Sequence, residues 1–346
     1  MKEMSPKVPF ETVTSSLLDM DHQFPPIYLH RFSDLTPNEL WALKSVWADV
    51  PIPRRRTLME SLEEAIEADT LLDFHDLGIF TLEDSDPQVR SMAIRLLWED
   101  EDKNLADLFT HLLEHDEDTL VRSTAASALG FFVYQGEVDE IPEDLLHEVE
   151  DALLRAATGR DDELIRRRAL ESLGYSSREE VPALIEAAFH NSNPEWISSA
   201  LFAMGRSADG RWADDVIDSL DHPVDEVRIE AVRAAGELQL GEAREALLKM
   251  LDEEEDDDIR LAAIWSLSQV GGEGVRSRLE ELLEETDDDE EADLIEDALE
   301  NLSFTEDVPL FDLFDYNADE VDYIDEEGNP IDKPADSSSR ARKKKG

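Results

Sequence analysis

The chain has 346 residues, with 86 acidic and 32 basic side chains, a formal net charge of −54 and no cysteine. The absence of cysteine excludes disulfides, thiolate metal sites and cysteine nucleophiles. So large an acidic excess argues against sequence-independent binding of DNA or RNA, which needs Lys and Arg to neutralise phosphates. Nothing approaches the roughly 18–20 apolar residues of a membrane span, and residues 1–30 lack the apolar core of a signal peptide. We therefore predict a cytoplasmic protein with no specific nucleic-acid partner and no membrane contact.

The acidity itself has two interpretations. It can serve solubility, including adaptation to high salt, because a strongly charged surface keeps chains apart. It can also attract a basic partner by electrostatic steering, an effect that salt would screen.

In chain order, residues 1–34 are mixed in character and contain prolines, so we expect an arm with little structure of its own. A helix start follows, in which Thr36 can cap the helix, Pro37 fits its first turn and Glu39 completes a capping box. Helices over about 37–48 and 54–68 are predicted, and together they form a helical N-terminal cap over residues 35–80.

Over residues 81–302 a short helical motif recurs seven times. Each copy has an acidic turn and then a helix with a branched residue, a marker residue and an alanine at fixed offsets. The markers are Arg90, Arg122, Arg166, Ile197, Arg228, Arg260 and Ile295. The alanines three places later are Ala93, Ala125, Ala169, Ala200, Ala231, Ala263 and Ala298. Such a period predicts a solenoid, with one long step that holds an insertion near residues 136–144.

This pattern resembles the HEAT-repeat family, including the short bacterial repeats found in phycobilin-lyase-like proteins. The resemblance implies an all-α solenoid of about seven to eight antiparallel helix pairs, whose second helices line the concave side. It also implies a ladder of turn acids and arginines along the solenoid, interrupted where isoleucine replaces the marker arginine. The residues assigned to that ladder are Asp84, Arg90, Asp116, Arg122, Arg166, Arg228 and Arg260.

The candidate binding row lies on the second helices. We number each of these helices from the residue before its marker, which is position zero. Positions two and six then lie about one turn apart, and their mixture of charged, polar and aromatic residues is unlike a core. The residues predicted to contact a partner are Arg95, Arg167, Phe202, Arg233 and Trp265. Such a row suits an extended peptide with acidic and aromatic residues, although its aromatic side chains can instead pack against neighbouring helices.

Residues 303–346 are expected to form an acidic, largely disordered tail with a basic terminus. Within the tail, Leu310, Phe311, Leu313 and Phe314 resemble a short recognition motif. Three roles stay open for this segment: self-contact with the concave row, recruitment of a partner, or capping of the last repeat.

Signatures of catalysis are absent from the sequence. Deoxyhypusine hydroxylase has a similar architecture but binds iron through repeated His-Glu pairs, whereas only His147-Glu148 occurs here. His111 and His115 are spaced like zinc ligands on a helix, but the His-Glu-x-x-His pattern is missing. No phosphate loop, nucleophile elbow or dinucleotide-binding motif occurs. We predict no catalytic residue, no metal and no cofactor, and a scaffold or adaptor that binds another protein or a peptide. The alternative is a bilin-lyase-like or other small-molecule-handling HEAT protein.

Overall fold

The computed structural model describes residues 8–98, 100–254 and 256–307, together with 323–324 and 330–331. The last two pairs form a short antiparallel ribbon, β1 (Tyr323–Ile324) with β2 (Pro330–Ile331). The predicted tail motif, Leu310 to Phe314, lies outside the described residues. Everything described before the ribbon is helix or helix connection.

The N-terminal region is more ordered than the sequence indicated. Helix α1 spans Phe10–Leu18, and a 3-10 helix spans Pro26–Phe32. Phe10 and Leu17, near the two ends of α1, are buried, and so is Phe32. The rings of Phe10 and Phe32 meet edge to face, with 6.0 Å between their centres. The expectation of an arm with little structure therefore needs correction for residues 8–34, because these short segments bury apolar side chains together.

The predicted cap helices agree with the structure. Helix α2 spans Pro37–Trp47 and helix α3 spans Ile52–Ala68. Thr36 and Glu39 form the capping box, in which each side chain accepts a hydrogen bond from the other residue's backbone N–H. These bonds satisfy amides that the first turn of α2 would otherwise leave unpaired.

Seven helix pairs follow the cap and form an all-α solenoid. The first helices are α4 (His75–Thr81), α6 (Asn104–His115), α8 (Glu143–Thr158), α10 (Val181–Phe189), α12 (Ala213–Ser219), α14 (Arg244–Glu253) and α16 (Val275–Glu285). The second helices are α5 (Pro87–Leu96), α7 (Thr119–Glu137), α9 (Glu163–Leu173), α11 (Pro194–Arg206), α13 (Asp225–Glu237), α15 (Asp257–Val270) and α17 (Asp289–Asp307). Successive second helices pack side by side in a row that α3 begins, while each first helix packs on its own second helix.

Small residues let the second helices approach each other closely. The motif alanines are buried, with Ala125, Ala169 and Ala263 fully inaccessible to solvent. Glycine recurs at position nine, and it meets a small residue at position seven of the next second helix. A Cβ on Gly174, for example, would lie 2.8 Å from the Cα atom of Ala203. The repeat spacing is therefore set by backbone-to-backbone contact as well as by the apolar core.

The extra residues of the long step lengthen two helices. Helix α7 has 19 residues and α8 has 16, and a tight turn that includes Asp139 at φ 63° connects them. The predicted insertion near residues 136–144 thus extends one repeat without adding a separate loop domain.

The seventh repeat has a different register from the one predicted. The backbone N–H of Asp288 donates to the Thr286 hydroxyl, and that of Glu291 donates to Asp288. One repeat earlier, the backbone N–H of Asp256 donates to Glu254 and that of Ile259 donates to Asp256. Glu291 thus corresponds to Ile259, which is position zero of its helix. Glu291 therefore stands at position zero and the marker is residue 292, three places before Ile295.

Candidate binding face

The second helices share a face at positions three, six and ten, because these positions recur about once per helical turn. In the middle of the solenoid this face carries charged and aromatic side chains, which we call the central patch. The central patch consists of Arg168, Glu171 and Tyr175 from α9 and the turn after it, Ser199, Phe202 and Arg206 from α11, and Glu230, Arg233 and Glu237 from α13. It brings three arginines, three glutamates and two aromatic rings onto adjacent helices.

Glu171 anchors the patch and is only 6% exposed. One of its carboxylate oxygens accepts a hydrogen bond from Arg168 Nη1 at 2.6 Å. The other accepts from the Ser199 hydroxyl, also at 2.6 Å, so this carboxylate joins α9 to α11. A buried carboxylate needs such partners, because an unpaired charge is costly to remove from water.

Arg206 lies between two aromatic rings. Its guanidinium carbon is 4.1 Å from the ring centre of Phe202 and 4.7 Å from that of Tyr175. Its Nη1 donates to the backbone carbonyl of Glu171 at 3.3 Å. Burial lowers the pKa of Arg206, while the neighbouring Tyr175 and Glu237 oppose that change. The stacking orients a flat cation with cation–π support on the second-helix face.

The two carboxylates of α13 are incompletely compensated. Burial raises the pKa of Glu230, although Arg233 Nη1 donates to one of its oxygens at 2.9 Å. The other oxygen of Glu230 is buried and has no hydrogen-bond partner. Burial also raises the pKa of Glu237, while the charge of Arg206 opposes that change. The Glu237 side chain still reaches the surface. The patch therefore holds carboxylates that the free protein does not fully satisfy.

This arrangement predicts a pH-dependent gain in stability for Glu230→Gln. A raised pKa means that the folded state holds the Glu230 proton more tightly than the unfolded chain does. The stability that comes from the protonated form is present below the unfolded-state pKa and is lost as the pH rises through the folded-state pKa. At about pH 8 we expect the variant to be more stable by roughly 1 kcal/mol, because a neutral amide is cheaper to bury than a carboxylate with one oxygen left unsatisfied.

Urea unfolding followed by circular dichroism, at about pH 8 and about pH 4, measures this difference. The advantage of the variant should shrink toward the lower pH, where Glu230 is protonated in both states. Glu226→Gln, at an exposed position of the same helix, is the matched control and should change little. A loss of stability at both pH values for Glu230→Gln would contradict the assignment.

The structure places the position-six residues of the predicted row at different depths. Arg95 and Arg233 are exposed, but each already pairs with a carboxylate, Arg95 with Glu63 at 2.8 Å. Phe202 and Trp265 are half-buried. The ring of Trp265 lies against the preceding second helix, α13, where a Cβ added to Gly236 would be 2.7 Å from a ring carbon. Trp265 therefore combines an interhelical packing role with partial exposure.

Position two does not line an open face. Ser91 and Ser123 are buried there, and Ser91 meets the Thr124 hydroxyl of the next second helix at 2.8 Å. Arg167, whose side chain is 13% exposed, lies 3.3 Å from the carboxylate of Glu195. These contacts show that position two faces the following repeat, so Arg167 joins two repeats and lies away from the central patch.

The ladder arginines mostly reach a carboxylate of the following repeat. Arg90 donates through two nitrogens to Asp116, and it also donates to the backbone carbonyl of Asp84. Among the described residues, the ladder pairs of this kind are Arg55–Asp84, Arg90–Asp116, Arg122–Asp161, Arg228–Glu254 and Arg260–Glu291. Arg166 is a ladder arginine with a different environment, in which it donates to the carbonyl of Ala157.

Of the nine residues of the central patch, sequence reasoning predicted only Phe202 and Arg233. It grouped positions two and six, and it therefore passed over the residues at positions three and ten, which are Arg168, Tyr175, Ser199, Arg206, Glu230 and Glu237. The available signal was the i, i+3, i+7 spacing from position three, which marks one stripe of a helix. On that stripe the polar and charged residues concentrate in α9, α11 and α13.

Comparison with protein families gives a direct match. The model of HEAT repeats matches residues 77–158 and 213–300, which cover the first two helix pairs, α8 and the last three helix pairs. These two segments of the chain are HEAT repeats. A comparison with the curated proteins finds no match.

Several solved structures are similar to this chain. The CpcE–CpcF complex of phycocyanin lyase from Nostoc sp. PCC7120 is 22% identical, with a TM-score of 0.45, over 66% of this chain and 94% of that chain. Human deoxyhypusine hydroxylase is 15% identical, with a TM-score of 0.33, over 75% of this chain and 95% of that one. Importin beta is 10% identical, with a TM-score of 0.41, over 85% of this chain and 46% of that one. These likenesses concern the fold.

The histidines and acids of the HEAT-repeat chain do not assemble a metal centre in the part of the chain that the structure describes. His111 and His115 stack on each other at 4.6 Å on α6, and His115 Nδ1 lies 3.1 Å from the carbonyl of His111. Across the same described residues, no helix is both long and apolar enough to cross a membrane.

Proposed function

We propose that this HEAT-repeat chain is a non-catalytic scaffold or adaptor that binds another protein or a peptide along its second-helix face. The central patch is the proposed centre of that contact. The observation that carries the proposal is the incomplete compensation of its charges. The second oxygen of Glu230 is buried without a hydrogen-bond partner among the described residues, and Glu237 on the same face of α13 reaches the surface. A partner that places a hydrogen-bond donor beside the exposed Glu237 carboxylate would offset part of the cost that the free protein bears.

The composition of the patch also supports binding. Arginine and large aromatic side chains contribute most to protein interfaces when they lie in partly desolvated, preorganised positions. Arg206 is held between Phe202 and Tyr175 before any partner arrives, so little side-chain freedom remains to be lost. Preorganisation of this kind favours affinity because it reduces the entropy cost of association.

The chemistry of the patch favours a partner segment with a basic side chain. The sequence suggested acidic peptides, because it counted Arg95 and Arg233 as available cations. Both arginines pair with glutamates of this chain, whereas Glu230 and Glu237 keep unused acceptor capacity. The net charge of −54 would steer a basic segment toward the chain at low ionic strength.

Handling of a bilin has weaker support. A cavity of about 840 Å³ lies between the end of α3 and the connection after α5. Its lining includes five carboxylates, Glu63, Glu67, Asp73, Asp100 and Glu101. A bilin carries propionate groups, and these carboxylates would repel them. Arg95 and Trp98 belong to the same lining, which is distant in sequence from the central patch.

Affinity capture from a native lysate tests the proposed function. We expect a partner retained by the intact chain to be lost, by tenfold or more, with Phe202→Ala/Arg233→Ala, because the patch loses an aromatic surface and an arginine. Leu108→Ala/Arg155→Ala is the matched control, since it removes an exposed apolar and an exposed arginine side chain from the first helices. Equal capture by the intact chain and by the patch variant would contradict the proposal.

The same capture experiment addresses the tail, residues 303–346, whose self-contact with this face is part of the proposal. Truncation after Leu302 should raise capture of the partner if the tail competes for the second-helix face. It should lower capture if the tail recruits the partner. Unchanged capture would remove the tail from the mechanism and leave the patch as the site.

A further inference from the structure

The ladder of arginine–carboxylate pairs has a gap at Arg166. The five ladder pairs named above have an arginine nitrogen 2.8–3.2 Å from a carboxylate oxygen of the next repeat. Arg166 stands at the same ladder position, and its Nε donates to the carbonyl of Ala157 at 3.2 Å. Among the described residues, no carboxylate oxygen lies within 4.0 Å of its guanidinium nitrogens. Its two terminal nitrogens are therefore left without a protein acceptor there.

The reason for the gap is an amide in the place of an acid. The ladder acid Asp116 accepts a hydrogen bond from the backbone N–H two residues later, at 2.9 Å. Asn191 accepts the equivalent bond from Asn193 at the same distance. Asn191 has nearly the shape of an aspartate but no negative charge, so the repeat keeps its turn geometry while Arg166 loses its counter-charge.

A cavity of about 330 Å³ lies beside this arginine. Arg166 and Asn191 line it together with apolar side chains that include Leu170, Leu184 and Trp196. The guanidinium carbon of Arg166 lies 5.1 Å from the ring centre of Trp196. Glu163 also contributes to the lining, but it is exposed and more than 4.0 Å from the arginine. The cavity thus combines one cation that lacks a counter-charge with an apolar wall.

We propose that this cavity binds the C-terminal carboxylate of a peptide whose last residue is apolar. A carboxylate there would accept paired hydrogen bonds from the two terminal nitrogens of Arg166, as Asp161 accepts them from Nη1 and Nη2 of Arg122. The volume is near the lower end for ligand cavities, and it suits a single terminal residue more than an extended segment. A terminal residue also carries its carboxylate and its apolar side chain on one carbon, which matches a small cavity that offers both surfaces.

The site is separate from the proposed function, because it shares no residue with the central patch. It involves first helices α8 and α10 as well as the early turns of α9 and α11. A chain end bound here and a segment bound on the second-helix face could therefore be held at the same time.

The test titrates the full chain with N-acetyl-leucine and with N-acetyl-leucinamide, which lacks only the carboxylate. The readout is the indole N–H resonance of Trp196, assigned through Trp196→Phe. We expect a saturable shift with the acid and at least tenfold weaker binding of the amide. Equal binding of the two compounds, or no saturable shift with either, would overturn the proposal.

Asn191→Asp is the decisive variant, because it supplies the missing carboxylate from within the chain. It should keep the fold, close the gap with Arg166 and weaken N-acetyl-leucine binding at least tenfold. Asn193→Asp adds the same charge two residues away at the start of α11, where aspartate caps a helix well, and it should change binding about twofold or less. Undiminished binding by Asn191→Asp would show that Arg166 is not the carboxylate site.

An amidated hexapeptide ending in leucine should bind at least tenfold more weakly than its free-acid form. Binding of the free amino-acid derivative alone would point to a metabolite site and overturn the peptide assignment.

Discussion

Replacement of Asp84 with Ala should lower the free energy of unfolding by about 3–5 kcal/mol, because it leaves a buried arginine without its carboxylate. The Asp84 side chain is fully buried and accepts hydrogen bonds from Trp47 Nε1 at 2.6 Å and from Arg55 Nη1 at 3.0 Å. It also accepts from the backbone N–H of Asp86 at 2.8 Å. A single carboxylate thus joins the cap helices to the first repeat.

Urea unfolding followed by circular dichroism gives the size of this loss. Glu83→Ala, at the exposed neighbouring position, should stay within about 0.5 kcal/mol of the parent. Arg55→Met/Asp84→Leu should be more stable than either single substitution, because it removes both buried charges together. A loss for Asp84→Ala no larger than that for Glu83→Ala would show that the pair contributes little.

Gly174→Ala should destabilise the protein by about 1–3 kcal/mol, the usual cost of overpacking. Alanine normally stabilises a helical position relative to glycine. Here the added Cβ would lie 2.8 Å from both the Cα atom and the carbonyl oxygen of Ala203, which are backbone atoms of the next second helix. Backbone cannot move aside as a flexible side chain can, so α9 and α11 must separate.

The control for this substitution is Gly210→Ala in the same chain. No atom lies within 4 Å of a Cβ built on Gly210, and alanine there should be neutral or slightly stabilising. Thermal unfolding of the two variants side by side separates the steric effect from the change in backbone entropy. Similar midpoints for both would mean that the second helices tolerate more separation than the contact suggests.

Local sequence signals predicted much of the fold. The start of α2 depends on Thr36 and Glu39, which are three residues apart, so the capping box could be recognised without tertiary information. The repeat period reflects burial of the same helix face in every copy, and the HEAT-repeat assignment followed from it. The segment α1 was missed because its burial depends on residues outside it, such as Phe32, whose ring packs edge to face on that of Phe10.

The binding face was harder to predict than the fold. Helical spacing shows which residues of one helix share a side, but the contacts between neighbouring helices decide which side stays open. Ser91 and Ser123 followed the predicted spacing and are nevertheless buried against the next repeat. The ladder shows the same difficulty, because Asp84 is the turn acid of the repeat that contains Arg90, while the arginine side chain reaches the carboxylate of Asp116 in the next repeat.

Each repeat packs only against the adjacent repeats, and this has a consequence for folding during synthesis of the chain. Among the described side-chain hydrogen bonds, the widest in sequence joins Ser172 to the carbonyl of Ala126, 46 residues away. A ribosome adds about 5–20 residues per second, so a HEAT repeat can find its partners within several seconds of emerging. Contacts of such short range also favour rapid folding. The order of the repeats in the sequence is therefore also the order in which they can fold during translation, from the N-terminal cap outward.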